Sequence, residues 1–165
     1  TGNPQGSEVM VEFFDYQCAH CKEMKNTIEN LASKNSDLKI FFRDWPIFGG
    51  ASLTAAKAAL AANRQGQYYA MHEALLGASN PLNDDKINGI ATSLNLDLKK
   101  LHKDMEDPAI MSQINATFAL SKKLGLSGTP VFILSNTTAN TIKFLPGSTS
   151  EKNLQKLIDE IKQQS

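Results

Sequence analysis

The sequence has too little of several things to belong to most functional classes. It has two cysteines, too few for a disulfide scaffold. It has no excess of one charge: 17 Lys and Arg stand against 17 Asp and Glu. Balanced charge argues against binding nucleic acid by phosphate neutralisation, and against a polybasic membrane surface. No apolar run approaches the ~18 residues of a membrane span. The longest alanine-rich stretch, Ala55 to Ala62, is short and is interrupted by Lys57. No signal peptide is evident. The chain opens at Thr1, and the polar Thr1 to Ser7 reads as the end of a linker from a mature product or an excised domain.

What is there is ordinary for a globular domain. The chain has 165 residues, 41% of them hydrophobic and 21% charged. That length fits one domain, or one domain with a sizeable insert, and a core of this size needs no staples. The two cysteines, Cys18 and Cys21, are three positions apart, which makes them a question of reactivity.

Periodicity gives the organisation. Glu8 to Phe14 (EVMVEFF) reads as a buried strand, and the CxxC follows at once. From Lys22 to Asn35, Met24, Ile28, Leu31 and Ala32 recur at helical spacing. Leu38 to Arg43 reads as a second strand, so a βαβ unit with a parallel pair is expected. No convincing strand follows before Leu124. Helices are expected over Ser52–Arg64, with Ser52 as its cap, and over Gln67–Leu76, Asp84–Leu94, Asp97–Met105 and Pro108–Leu124. Acidic first turns, Pro108 and Gly125 mark their ends. Pro130 to Leu134 and Thr141 to Leu145 then form a hairpin across the turn 136–140, and Ser150 to Gln163 closes the chain as a helix.

The chemistry centres on the cysteines. Three positions at a helix start is nearly one turn, so the two sulfurs can meet. A thiol at a helix N-terminus is acidified by the unpaired N–H groups and the dipole. Cys18 is therefore read as the exposed attacking and leaving sulfur, and Cys21 as the more buried resolving sulfur. An inert bridge is the plain alternative, but so short a loop restricts the unfolded chain little. Zinc would need about four ligands. The only histidines outside the motif are His72 and His102, both in the helical block. Haem attachment needs CxxCH, and residue 22 is lysine. His20, between the cysteines, can donate to the Cys18 thiolate and make the pair more oxidising; the alternative is a solvated side chain. Glu12 sits inside the first strand among Met10, Val11, Phe13 and Phe14, where a charge is costly to bury. It is either a buried acid or an edge residue with its head in water.

VEFFDYQCAHCK at Val11–Lys22, SGTP at Ser127–Pro130 and the helical block between them resemble the DsbA family of thiol:disulfide oxidoreductases. The resemblance covers nearly the whole chain. It implies an α/β thioredoxin fold, βαβ–α–ββα, with an inserted all-α subdomain. The expected parts are 1–48 with the CxxC, 49–110 as the insert, and 111–165 with the proline loop. Glu12 would lie beneath the pair and help move the proton of the buried cysteine, its pKa raised by burial. The Thr129–Pro130 bond would be cis, its loop facing the CxxC, with the Thr129 backbone pairing to an extended substrate. A His at position 20 accompanies oxidising members, whereas Ala19 stands where many relatives have proline, and Thr129 occurs in isomerase-type relatives.

The implied function is thiol–disulfide exchange with cysteines of other proteins, as an oxidase with possible isomerase activity. It would act in the bacterial periplasm or another oxidising compartment outside the cytoplasm. Its partners would be reduced or unfolded proteins and a quinone-linked membrane redox partner. A homodimer through an upstream segment stays open. No nucleic acid, metal or dissociable cofactor is expected; the redox group is the Cys18–Cys21 disulfide. Two other readings remain: a non-catalytic chaperone or assembly factor, and a metal-delivery protein using the CxxC. Met71, Met105 and Met111 read as core. Trp45 to Phe48 either lines a groove near the active site or packs in the core. The glycosylation patterns at Asn115 and Asn136 are discounted.

Overall fold

The structure is a computed structural model that describes residues 1–139 and 141–162. Among these, the chain order is β1 (Glu8–Phe14), α1 (Ala19–Lys34), β2 (Leu38–Asp44), α2 (Gly50–Asn63), α3 (Tyr68–Gly77), α4 (Asp84–Ser93), α5 (Leu98–Met105), α6 (Pro108–Lys123), β3 (Val131–Asn136), β4 (Thr141–Pro146) and α7 (Glu151–Lys162). Asn140 in the expected hairpin turn and Gln163 at the expected end of the last helix lie outside the described residues.

The chain forms two compact units. The first comprises Thr1–Phe14, Ala19–Arg43 and Gly128–Ser165, and the second Asp15–Cys18 with Asp44–Ser127. These divisions differ from the expected 48/49 and 110/111. The physical reason is packing: α6 lies on α2, and Asp15, Tyr16 and Gln17 before α1 are bonded to residues of the helical unit.

In the first unit the strand order is β2-β1-β3-β4. β3 is antiparallel to both β1 and β4. Residues opposite each other in a ladder share a face, so Met10 with Leu134, and Glu12 with Phe132, present one surface. On α1 the buried residues are Cys21, Met24, Ile28 and Leu31, one helical stripe. Met24, Ile28 and Leu31 of that stripe pack with Met10, Leu38, Ile40, Phe132 and Leu134 of the sheet and Leu154, Ile158 and Ile161 of α7 in one core. Each such side chain contributes roughly 1.5–3 kcal/mol when fully buried. Thr1 to Ser7, expected as a linker end, is tied down. Asn3 N–H donates to the Leu38 carbonyl at 2.8 Å, and the Thr1 amine to that of Ile40 at 2.8 Å.

In the second unit α2 is buried along most of its faces by small residues, Ala55, Ala56, Ala58, Ala59, Ala61 and Ala62. Short side chains let neighbouring helices pack close to it, and a helix apolar all round belongs in a core. Asn83, Asp97 and Asp107 accept N–H bonds at the starts of α4, α5 and α6. Gly125 has φ 68°, with Leu126 N–H reaching the Ser121 carbonyl at 2.9 Å and Gly125 N–H that of Lys122 at 3.1 Å. This C-terminal lock requires the left-handed residue that glycine supplies. Ser52 is not the cap of α2. Gly49 holds that position without a side-chain bond, and the Ser52 hydroxyl is used elsewhere. Met71 is fully buried, while Met105 and Met111 are half-buried.

Candidate active site: a cysteine pair at the start of α1

Cys18 is followed immediately by Ala19, the first residue of α1, and Cys21 lies in the first turn. Cys18 thus stands where a helix offers unpaired N–H groups and the positive end of its dipole. The sequence suggested an exposed Cys18. It keeps only 6% exposure, and Cys21 keeps none. Burial is therefore graded in the expected order but is deeper than expected at Cys18.

Cys21 opens the buried stripe of α1, the stripe that covers the sheet face bearing Met10. Glu12 lies two residues along β1 from Met10, so its side chain emerges on that same face. It is 1% exposed, which removes the alternative of a carboxylate head in water. A buried acid and a buried cysteine thus lie on facing surfaces of the first unit.

His20 is different. Its side chain keeps 66% exposure, and its Nδ1 lies 3.1 Å from Glu23 Oε2. Any positive charge on His20 is therefore partly offset by Glu23 as well as screened by water. Thr129 is half-buried and Pro130 buried. The peptide between them is cis. Pro130 is held at the head of β3, where its carbonyl accepts the Gly147 N–H at 2.8 Å. The ladder pairs Phe13 with Val131 and Glu12 with Phe132, so Glu12 belongs to the end of the sheet that carries this proline. Of the Trp45–Phe48 segment, Trp45 is buried and Phe48 is 60% exposed.

In the second unit, the segment before the helix is fixed by bonds to residues far away in the sequence. Cys18 N–H donates to the Asp15 carbonyl at 3.1 Å. The buried Asp15 carboxylate accepts the Gln17 N–H at 2.7 Å, the Ser52 hydroxyl at 2.6 Å and the Phe48 N–H at 3.2 Å. Gln17 accepts at its carbonyl from Asn80 Nδ2, at 2.9 Å, and at its side-chain oxygen from Leu82 N–H, at 3.1 Å. Tyr16 is buried, with its hydroxyl 3.1 Å from His72 Nδ1. Next to it, Tyr68 donates to Asp44 Oδ2 at 2.9 Å. Burial pushes the Asp44 carboxyl up to about 7, against the opposing pull of the Tyr68 and Tyr16 hydroxyls. Burial, and then the Asp44 carboxyl, hold the Tyr16 hydroxyl protonated well above the ordinary tyrosine range. The available signals were an acid closing an apolar strand and a histidine beside Met71 on a buried helix face. Neither says by itself that the groups meet.

Among the described residues no three His, Cys, Asp or Glu side chains are grouped to hold a metal ion. Nor is any helix there long and apolar enough to cross a membrane.

These features have close counterparts in known proteins. A thioredoxin-like oxidoreductase of Silicibacter pomeroyi DSS-3 is 37% identical, with a TM-score of 0.92 over 99% of this chain and 91% of that one. The thiol-disulfide exchange protein α-DsbA2 of Wolbachia pipientis is 35% identical, with a TM-score of 0.88 over 97% of this chain and 84% of that one. Among curated proteins, the Na(+)/H(+) antiporter NhaA of Herminiimonas arsenicoxydans is 26% identical over 126 residues, 76% of this chain. The chain spans about a fifth of the length of such curated relatives, 20% in this case. The family model for the DSBA-like thioredoxin domain matches residues 9–159. With its cysteine pair at the start of α1, its four-stranded sheet and its helical unit, the chain belongs to the DSBA-like thioredoxin domain family.

Proposed function

We propose that this chain is a protein thiol:disulfide oxidoreductase working through Cys18 and Cys21, as an oxidase with possible isomerase activity. The observation that carries the reading is the placement of the two cysteines. One immediately precedes the first residue of α1, and the other is buried in the first turn.

A substrate thiolate attacks Cys18 Sγ of the oxidised pair. The Cys18–Cys21 bond breaks, Cys21 leaves as a thiolate, and a mixed disulfide forms at Cys18. Glu12, on the facing sheet surface, supplies the proton that Cys21 takes up. A second substrate thiolate then attacks the substrate sulfur and releases Cys18, whose negative charge the helix start stabilises. The substrate loses two electrons to the pair. The exchange needs no dissociable cofactor and no metal. The Thr129 backbone pairs with the extended substrate beside Pro130. His20 adds a donor for the Cys18 thiolate.

Such an oxidant works only where disulfides persist, so the proposed compartment is the periplasm or another oxidising space. Its partners are reduced or unfolded proteins and a quinone-linked membrane protein that reoxidises the pair. Isomerase action would need a dimer, formed through a segment outside this sequence. A chaperone or a metal carrier remains the rival class. The test is trapping on a peptide whose cysteine is held in a disulfide with a good leaving thiol, so that the Cys18 thiolate breaks that bond and the thiol departs as the mixed disulfide forms. Cys21→Ala should accumulate a mixed disulfide through Cys18, and Cys18→Ala should form none. Equal labelling of both variants, or of neither, would refute the proposal, and stoichiometric copper or zinc on the purified protein would favour the carrier.

A further inference from the structure

Tyr16 lies two residues before Cys18, and its side chain ends in a buried polar cluster. His72 is 1% exposed and is ringed by Tyr16, Tyr68 and Tyr69 at centroid distances of 5.7, 5.8 and 6.2 Å. Asp44 is 5% exposed. Its Oδ2 accepts the Tyr68 hydroxyl, and its Oδ1 is buried without a hydrogen-bond partner among the described residues. The Tyr16 hydroxyl is also a hydrogen-bonding neighbour of the Asp44 carboxyl.

Other charges stand apart from it. The buried residues of α2, α4 and α6 carry no charge. Asp104 of α5 is paired with Arg64 and Lys100. Asp15 is engaged by Ser52 and the Phe48 N–H. Burial of the Asp44 charge is opposed by the Tyr68 and Tyr16 hydroxyls and by its own backbone.

Tyr16 has one hydroxyl proton and two acceptors to serve. With Asp44 neutral, Tyr16 donates to His72 Nδ1, and the imidazole carries its proton on Nε2. With Asp44 ionised, Tyr16 donates to the carboxylate. His72 must then carry its proton on Nδ1 and donate to the Tyr16 oxygen. Asp44 releases one proton to solvent, and the imidazole stays neutral while its proton changes nitrogen. Each arrangement draws the Tyr16 hydroxyl toward a different neighbour. The Tyr16 backbone belongs to the turn closed by Cys18 N–H and the Asp15 carbonyl.

We propose that Asp44 and His72 are positioning residues for Cys18, acting through Tyr16 on the turn that carries the cysteine. This deepens the thiol–disulfide reading and rests on it. Two measurements test it. The first is the His72 tautomer, followed by nitrogen-15 NMR in the reduced protein from about pH 5 to about pH 9, a range that spans neutrality. The imidazole proton should move from Nε2 to Nδ1 across neutrality in the natural protein. It should stay put in Asp44→Asn and Tyr16→Phe. A single tautomer throughout in the natural protein overturns the proposal, and this arm needs no variant that folds poorly.

The second is the rate of Cys18 alkylation by iodoacetamide. Beyond the thiolate titration, the profile should show a further step near neutrality of about fivefold or more, the low end of ordinary coupling between sites. Asp44→Asn and Tyr16→Phe should lose that step, and Asp44→Glu should keep it at a shifted pH. Profiles in Asp44→Asn and Tyr16→Phe that match the natural protein overturn the positioning role. Exchange with glutathione, measured on the same samples, separates the two ideas. Its absence from the natural protein would refute the proposed function, whereas unchanged alkylation profiles refute only the positioning.

Discussion

Glu12 on β1 stands directly opposite Phe132 on β3, and Phe132 follows Pro130 by two residues. The pair shares a sheet face with Met10 and Leu134, the face covered by α1. A carboxyl is thereby fixed at the end of the sheet that carries the proline, under the helix whose buried stripe begins at Cys21.

This placement supports the proposed proton-transfer role of Glu12, which a substitution can isolate. Glu12→Gln keeps the shape and removes the proton acceptor. Breakage and re-formation of the Cys18–Cys21 bond should slow by at least about tenfold at neutral pH, the modest end of acid–base contributions. Alkylation of Cys18 should stay near its natural rate. Stopped-flow reduction by a dithiol, paired with alkylation, separates the two. Equal slowing of both would make Glu12 a structural residue.

His20 and Glu23 should act on the reduction potential in opposite directions. Their side chains are 3.1 Å apart and both are about two-thirds exposed, at 66% and 65%. If His20 donates to the Cys18 thiolate as proposed, His20→Ala should destabilise the reduced form and lower the potential. Glu23→Gln removes a negative charge from that donor and raises it. Solvent screening keeps each shift at or below about 30 mV, a tenfold change in the equilibrium constant. Glutathione equilibration reads both. A shift of the same sign in the two variants would break the argument.

The parts of this molecule that were legible in the sequence are those with local causes. Short apolar, β-branched and aromatic runs mark β1 and β3, and the spacing of Met24, Ile28 and Leu31 marks α1. The acidic first turn of α4 suits the positive end of the helix dipole, and Pro108 sits where a helix begins because a missing N–H costs nothing there. Cysteine spacing locates the candidate site. Ser52 misled because serine before an alanine run is a cap signal, and nothing local reveals that its hydroxyl is drawn to Asp15, 37 positions away. His72 was visible only as an unused metal ligand. Its neighbour Tyr16, and the Asp44 carboxyl on which Tyr16 also acts, come from separate stretches of chain, and their meeting depends on packing that no short window encodes.

Ser52 leads to a stability test. Its hydroxyl donates to the Asp15 carboxylate at 2.6 Å in a buried setting. Hydrogen bonds to charged groups contribute about 1.5–3 kcal/mol, and Ser52→Ala should cost about that much. The urea midpoint should fall with the slope unchanged. Far-UV circular dichroism should keep its helical intensity, because Gly49 rather than Ser52 caps α2. A loss of helicity with no change in midpoint would restore the capping role.

Asp44 leads to a pH dependence of stability with a definite sign. Its carboxyl has an ordinary value of 3.8 and is pushed up to about 7 in the folded chain, chiefly by burial. Between these values the folded state holds a proton that the unfolded state has lost. Stability therefore falls as pH rises through this window, and it levels off once the folded carboxyl has also ionised. Below about pH 4 both states are protonated and Asp44 adds no slope. Across the window the effect is on the order of 4 kcal/mol, at 1.36 kcal/mol for each unit of pKa. Asp44→Asn has nothing to ionise. Denaturant unfolding of both proteins should show their stability difference moving in favour of the variant as pH rises from about 4 to about 7, and then staying constant. Other titrating groups cancel in that difference. A difference that is flat with pH would mean that Asp44 ionises in the folded protein as it does in the unfolded chain, and its burial among Tyr16 and Tyr68 would then carry no electrostatic cost.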